Sequence, residues 1–110
     1  MNEALNIVGL AYRARKTVLG EEVYHRIGKV RIILIASDIS EKSRQRAEKK
    51  CYFYDIGHID CFTAEELSAA IGRNNVRLIG ITDEGFKDAL LKKLKKEDCH
   101  GETDVQKTSE

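Results

Sequence analysis

The apolar segment over residues 30–36 limits the possible folds more than any other part of the sequence. It reads VRIILIA, which is β-branched and nearly continuously apolar, and such a run is typical of a strand buried on both faces. Residues 76–83 (VRLIGITD) are likewise rich in β-branched and apolar side chains. Because a sheet that is apolar on both faces must be covered on both sides, and helices are the usual cover, we expect an α/β protein.

Helical signals stand between these runs. Residues 2–15 carry apolar side chains at three- and four-residue steps, which predicts an amphipathic helix. Residues 63–66 (TAEE) form a capping box that opens a helix ending at Gly72. Ser40 is a suitable N-cap for a polar helix over 41–51. Further helices are predicted over 21–27 and 86–96, and weaker strands over 17–19 and 59–62.

The alternation of helices with strands predicts a three-layer α/β/α sandwich with a mixed, mostly parallel central sheet. A chain of 110 residues is long enough for one core but not for two. We therefore expect residues 1–96 to form a single domain, and we expect a monomer. Residues 97–110 have almost no apolar content and carry five acidic residues against one lysine, which predicts a disordered acidic tail.

No segment of the sequence has the character of a membrane span or a secretory signal. The longest apolar run, over residues 32–36, is far shorter than the roughly 18 residues needed to cross a bilayer. The first fifteen residues include Glu3 and two arginines among broken apolar positions, unlike the continuous apolar core of a signal peptide. We expect a cytoplasmic protein without a membrane partner.

Signatures of common enzymes are absent from the sequence, which contains no GxGxxG, no Walker loop, no GxSxG and no HExxH motif. Asp38 and Asp83 follow predicted strands, where a carboxylate can act as a base. Aspartate at such a position is more often a helix cap. Cys51, His58 and Cys61 match no standard zinc spacing. The sequence predicts no catalytic residue, no metal site and no cofactor.

Positive charge is concentrated in the first half of the chain. Residues 1–50 hold eleven Lys and Arg against six Asp and Glu, whereas residues 51–96 hold seven of each. Such a local excess of cations attracts a polyanion. Solvated helices also often carry lysine and arginine without binding any ligand. The cations best placed for phosphate contacts are Arg13, Arg15, Lys16, Arg26, Lys29 and Arg31.

Gly20, Glu21 and Glu22 interrupt this basic stretch. A glycine allows the backbone of a partner to approach closely. A carboxylate at a helix start can accept hydrogen bonds from a base edge but is repelled by phosphate, so it would add selectivity rather than general affinity. The same two acids would also complement the helix dipole without any ligand. Composition alone does not separate these two interpretations.

Four segments, in order, resemble the ribosomal protein L-seven-Ae family, most closely its short bacterial branch, the YlxQ-like proteins. They are residues 9–22 (GLAYRARKTVLGEE), 32–40 (IILIASDIS), 67–72 (LSAAIG) and 81–86 (ITDEGF). The resemblance covers roughly residues 5–94. It implies a three-layer α/β/α domain that binds RNA, typically a kink-turn, which is a sharply bent helix with tandem sheared G·A pairs.

The resemblance also implies which residues contact the RNA. In the family, the turn and helix at the Gly20 position enter the opened groove at the bend, and the loop after the Gly72 position covers a flipped-out base. Val23 stands where the family commonly has glutamate, so either Glu22 contacts the guanine edge from a slightly shifted helix or that contact is missing. Carried over by position, the implied RNA-binding residues are Arg13, Lys16, Gly20, Glu21, Glu22, Arg26, Asp38, Ile39, Gly72, Arg73 and Asn74.

Taken together, these features predict a non-catalytic RNA-binding protein that is associated with the ribosome or recognises a kink-turn-like structured RNA. The alternative is a protein-interaction or regulatory module that keeps the fold with reduced RNA binding. The presence of Val23 where the family commonly has glutamate makes this alternative credible.

Overall fold

Five α-helices alternate with four short strands over residues 3–97, the part of the chain that the computed structural model describes. The expected acidic tail lies outside the described residues, apart from Glu97, with which the last helix ends. The elements are α1 (Glu3–Arg13), β1 (Thr17–Leu19), α2 (Glu21–His25), a 3-10 turn (Ile27–Lys29), β2 (Ile32–Ile35), α3 (Glu41–Tyr54), β3 (Gly57–Ile59), α4 (Ala64–Ile71), β4 (Leu78–Ile81) and α5 (Glu84–Glu97).

The predicted helix caps are confirmed. The Thr63 hydroxyl accepts a hydrogen bond from the Glu66 amide at 3.1 Å, and the Glu66 carboxylate accepts one from the Thr63 amide at 2.9 Å, which completes the capping box of α4. Gly72 ends α4 with a left-handed φ of 72°. The Ser40 hydroxyl accepts from the Ser43 amide at 3.2 Å at the start of α3. These local signals depend only on neighbouring residues, so the sequence is sufficient to specify them.

Two element bounds differ from the prediction around residue 55. Helix α3 continues to Tyr54 and ends at Asp55, which adopts a left-handed φ of 58°. Strand β3 spans Gly57–Ile59, so it begins two residues and ends three residues earlier than predicted. The last turn of α3 consists of exposed aromatic residues, so no buried apolar periodicity marks it in the sequence.

The central sheet has the strand order β1-β4-β2-β3. The α/β class and the mixed sheet are confirmed, but the sheet is not mostly parallel in its pairings. Strands β2 and β3 pair in parallel, whereas β4 is antiparallel to both of its neighbours, β1 and β2. Three strands therefore run in one direction, as expected, and the fourth lies reversed between two of them. A helix between two strands permits a parallel crossover but does not enforce one, and left-handed turns at Gly72 and Asn75 redirect the chain before β4.

Strand β2 is buried on both faces, as its sequence predicts, and all four of its residues are inaccessible to solvent. Ile32 and Leu34 pack in a cluster that includes residues of α1, α4 and α5. Ile33 and Ile35 pack on the other face with residues of α2 and α3. This period-two alternation divides the core into two layers around the sheet. Within residues 3–97, no helix combines the length and the apolar character that crossing a membrane requires.

Candidate nucleic-acid interface

A groove of about 580 Å³ lies along β1 between the end of α1 and helix α2, and the loop after α4 contributes to its lining. We call it the basic groove, because four of its lining residues are cationic and one is acidic. Its lining residues are Tyr12, Arg15, Thr17, Val18, Leu19, Glu22, Arg26, Lys29, Arg73 and Thr82.

The acidic residue of the basic groove is held by one of its cations. The Arg26 Nε donates to a Glu22 carboxylate oxygen at 2.6 Å, one helical turn away. This hydrogen bond, together with the charge of Arg26, lowers the pKa of Glu22, so the carboxylate is ionised at neutral pH. Arg15 and Lys29 make no ion pair with any residue that the structure describes. Their charges are available to an anionic ligand.

The loop after α4 places a further cation at the wall of the basic groove. Gly72 turns the chain out of α4, and the Arg73 Nη1 then donates to the Tyr12 hydroxyl of α1 at 3.1 Å. Asn74 and Asn75 follow as exposed residues. The tyrosine orients a guanidinium that would otherwise sample many conformations, so Arg73 is partly preorganised for binding.

Gly20 lies between β1 and α2 with φ 56° and ψ −134°, a region of backbone conformation that essentially only glycine occupies. Its amide donates to the Leu78 carbonyl of β4 at 3.0 Å, and its carbonyl accepts from the Val23 amide at 3.0 Å. A Cβ built at this position would meet no atom within 4 Å. The space in front of the Gly20 backbone is therefore open.

A second, smaller groove of about 260 Å³ lies on the other side of Gly20, between α2 and α3. We call it the Gly20 pocket. Glu21 in this pocket accepts two hydrogen bonds from Arg46 of α3, at 2.9 and 3.1 Å, and the Arg46 guanidinium lies 4.3 Å from the Tyr24 ring centre. The lining residues of the Gly20 pocket are Gly20, Glu21, Tyr24, Ile39, Ser43, Arg46, Asn75, Arg77 and Leu78.

Both carboxylates at the start of α2 thus have an arginine partner. Exposed ion pairs of this kind contribute little to stability and exchange readily with water or a ligand. An incoming base edge could take the place of either arginine, provided that it donates hydrogen bonds in return. Val23 is completely buried in the layer beneath α2, so its side chain cannot contact a ligand.

The structure brings six of the eleven implied RNA-binding residues to these two grooves. The other five line neither groove: Arg13, Lys16, Asp38, Gly72 and Asn74. Arg13 lines a separate groove between α1 and α4, together with Gly9 and Glu66. The Asp38 carboxylate accepts from the Ala64 amide at 2.9 Å and so satisfies a free amide at the start of α4. Lys16 is exposed at the start of β1, and its carbonyl accepts from Thr82 at 2.9 Å.

Several residues of the two grooves are not among those that the sequence implies. Tyr12 lines the basic groove, while Tyr24, Arg46 and Arg77 line the Gly20 pocket. Arg46 is 25 positions from Glu21, and only the packing of α3 beside α2 brings the two together. Within residues 3–97, no three His, Cys, Asp or Glu side chains are grouped closely enough to hold a metal ion.

Curated relatives of the chain are named RNA-binding proteins. It is 33% identical over 87 residues to "RNA-binding protein YlxQ" of Enterococcus faecium, a match that covers 76% of this chain and 84% of the relative. It is 29% identical over 91 residues to the protein of the same name from Bacillus subtilis, covering 80% of this chain and 91% of that one. No family model matches the chain.

Solved structures share the fold. A protein of unknown function from Bacillus halodurans superposes with a TM-score of 0.80 at 30% identity, covering 86% of this chain and 99% of the other. The 15.5kD RNA-binding protein of Giardia lamblia superposes with a TM-score of 0.70 and covers 86% of this chain and 83% of its own. At 16% identity, the second likeness shows the fold alone.

Proposed function

The chain belongs to the YlxQ branch of the ribosomal protein L-seven-Ae family, and we propose that it binds structured RNA without catalysing a reaction. The observation that carries this proposal is the basic groove beside the open backbone of Gly20. Its four cations face one carboxylate, and the adjoining glycine presents no side chain to an approaching partner. In such an arrangement, contacts to phosphates provide most of the affinity, while a bent RNA provides the shape complementarity.

We further propose that the preferred RNA is a kink-turn, as the family resemblance implies, and that it belongs to the ribosome or to a ribonucleoprotein. Glu22 is the residue that we assign to a guanine edge, since it is exposed, ionised and two residues from Gly20. When a base edge takes the place of Arg26 as the partner of Glu22, the Arg26 side chain would contact a phosphate instead. Arg73 would lie against the base that is flipped out at the bend.

The general RNA affinity is tested by removing Arg15 and Lys29, two cations of the basic groove that make no ion pair with any described residue. Arg15→Ala with Lys29→Ala should weaken binding to kink-turn RNA and to plain duplex by similar factors. The slope of log K against log salt should fall by about two, because two phosphate contacts are lost. Arg15 and Lys29 are better positions for this test than Arg26, because removing Arg26 would also release Glu22 from its ion pair.

The matched control removes the same number of charges from another face. Lys92→Ala with Lys93→Ala changes helix α5, which packs with α1 and α4 on the far side of the sheet. Because this variant also breaks the 2.9 Å ion pair between Lys93 and Glu3, circular dichroism first verifies that it folds. This control should leave both the affinity and the salt slope as in the wild type. Equal losses in the two double variants would refute the basic groove as the RNA site.

Selectivity is tested separately, with Glu22→Ala. This variant should reduce the preference for a kink-turn over a duplex of the same length, since a carboxylate reads base edges and repels phosphate. A gel-shift titration against a kink-turn, a mutant without the G·A pairs and a plain duplex measures the preference. If Glu22→Ala weakens binding to all three RNAs equally, the role of Glu22 in kink recognition is refuted.

A second function is favoured by one observation. Val23 occupies the family's glutamate position and is completely buried, and the two neighbouring carboxylates are held by arginines. A surface with these features could serve a protein partner instead of RNA. Under this alternative, the wild-type chain would show only weak, salt-sensitive association with every RNA in the titration.

A further inference from the structure

The last turn of α3 exposes three successive aromatic side chains. Tyr52 is 90% exposed, Phe53 78% and Tyr54 43%. The Phe53 and Tyr54 rings contact each other edge to face, with their centres 5.0 Å apart. Together with Gln45, Glu48, Lys49 and Lys50, the three rings line an open groove of about 880 Å³.

The fold itself does not require these rings. Helix α3 is anchored to the sheet by Ala47 and Cys51, which are buried against β2 and its neighbours. Single exposed apolar residues are ordinary on protein surfaces, but adjoining exposed aromatic rings are characteristic of binding sites. Large, rigid rings with few rotamers are especially suited to such contacts.

Cations connect this aromatic turn to the Gly20 pocket. Arg46 lines the pocket, and Lys49 and Phe53 follow it at steps of three and four residues, so all three share one face of α3. Lys42 extends the same face in the other direction. From Arg46 to Phe53 the helix rises by about 10 Å. Neither Lys49 nor Lys50 has an ion-pair partner among residues 3–97.

We propose that this end of α3 binds unpaired nucleotides that flank the structured RNA, with bases stacked on Tyr52 and Phe53 and phosphates held by Lys42 and Lys49. The inference rests on the proposed function, since it extends the path of the same RNA beyond the Gly20 pocket. Stacking on aromatic rings tolerates any base, because every base has a π face. The site therefore adds affinity for unpaired RNA without adding sequence preference.

Charge favours RNA over a protein as the occupant. Helix α3 contains five Lys and Arg against two Glu, and one of these acids, Glu48, lies 3.8 Å from Arg44. Asp55, which follows the rings, is an additional carboxylate at the edge of the site. Lys42, Arg46 and Lys49 are on the same face as Phe53, which matches a polyanion rather than the apolar surface of a protein partner.

The proposal is tested with a variant that keeps apolar surface but removes the rings. The full-length chain is titrated by fluorescence anisotropy with a kink-turn hairpin, the same hairpin carrying an unpaired extension, and the extension alone. The wild type should bind the extended hairpin on the order of tenfold more tightly than the blunt one. Tyr52→Leu with Phe53→Leu should lose this gain and bind the blunt hairpin as before.

Two controls separate the α3 site from the basic groove. Tyr52→Phe with Phe53→Tyr exchanges the rings and should keep the gain from the extension. Arg15→Ala with Lys29→Ala should weaken binding to both hairpins and still keep the gain. All four substituted positions are exposed, so each variant is expected to fold, and circular dichroism verifies this.

The outcomes distinguish this proposal from the proposed function. If the wild type binds both hairpins equally, or if the leucine variant keeps the gain, the α3 site is refuted and the basic groove stands, which leaves the rings to a protein partner. If the wild type binds only the single-stranded extension and the leucine variant does not, kink-turn binding is refuted and the α3 site stands. If it binds none of the three RNAs, both proposals fail.

Discussion

Replacing Gly20 by alanine separates backbone strain from steric exclusion. Gly20 has a positive φ that L side chains rarely adopt, and its hydrogen bonds to Leu78 and Val23 hold it in place between β4 and α2. The chain cannot relax into another conformation without losing these bonds. Since the new methyl group would meet no atom within 4 Å, the whole cost to the free protein comes from the backbone.

The cost of such a conformation is about 1–3 kcal/mol. Gly20→Ala should therefore lower the free energy of unfolding by about 2 kcal/mol, or the melting temperature by roughly 10 °C for a domain of this size. Gly28→Ala is the matched control, because Gly28 is equally open but does not have a positive φ. That substitution should be neutral or stabilise the chain by about 0.5 kcal/mol, since alanine restricts the unfolded state.

Urea unfolding followed by circular dichroism measures both variants. Equal midpoints for Gly20→Ala and Gly28→Ala would refute the strain argument. RNA titration of the folded variants then tests the close approach, because a methyl group at residue 20 would stand between the backbone and the RNA. Unchanged kink-turn affinity in Gly20→Ala would refute a direct contact at this glycine.

Three further predictions concern stability and reactivity. Leu34→Ala should cost about 2–5 kcal/mol in urea unfolding, since Leu34 is buried in the centre of the sheet, whereas Leu10→Ala, at a residue 47% exposed, should cost much less. Thr63→Ala should cost about 1 kcal/mol in the same assay, because it removes the N-cap of α4, and no loss would contradict the capping box. Burial raises the pKa of the Cys51 thiol from 9.0 to about 12, so alkylation of this residue, followed by mass spectrometry, should be slow at neutral pH until urea unfolds the chain. The stabilisation linked to the protonated Cys51 thiol should be complete below pH 9 and be lost as the pH rises from 9 towards 12, and stability that stays constant across this range would contradict the burial argument.

Features that depend on adjacent residues were predictable from the sequence. The capping box at Thr63 and the burial of both faces of β2 follow directly from local composition and side-chain alternation. The direction of β4 was not predictable in this way, because a connection containing a helix can lead to a parallel or an antiparallel neighbour. The same local signals give no hint that the chain inserts this last strand between two earlier ones.

The candidate site was predictable only in part, for a related reason. The basic stretch and Gly20 are contiguous in sequence, so their neighbourhood follows from the chain alone. The pairing of Glu21 with Arg46 depends on the packing of two helices. Asp38 follows a strand, where aspartate is more often a helix cap than a ligand, and the structure shows that it caps α4, a helix more than twenty residues further along the chain.

The position of β4 has a consequence for the order in which the protein is made. Strand β1 lies at the edge of the sheet with β4 as its neighbour, and β4 holds it at both ends through the Lys16 carbonyl and the Gly20 amide. The ribosome synthesises these residues long before residues 78–82. Until β4 emerges, β1 lacks its hydrogen-bonding neighbour, and the basic groove, which Arg73 and Thr82 also line, is incomplete.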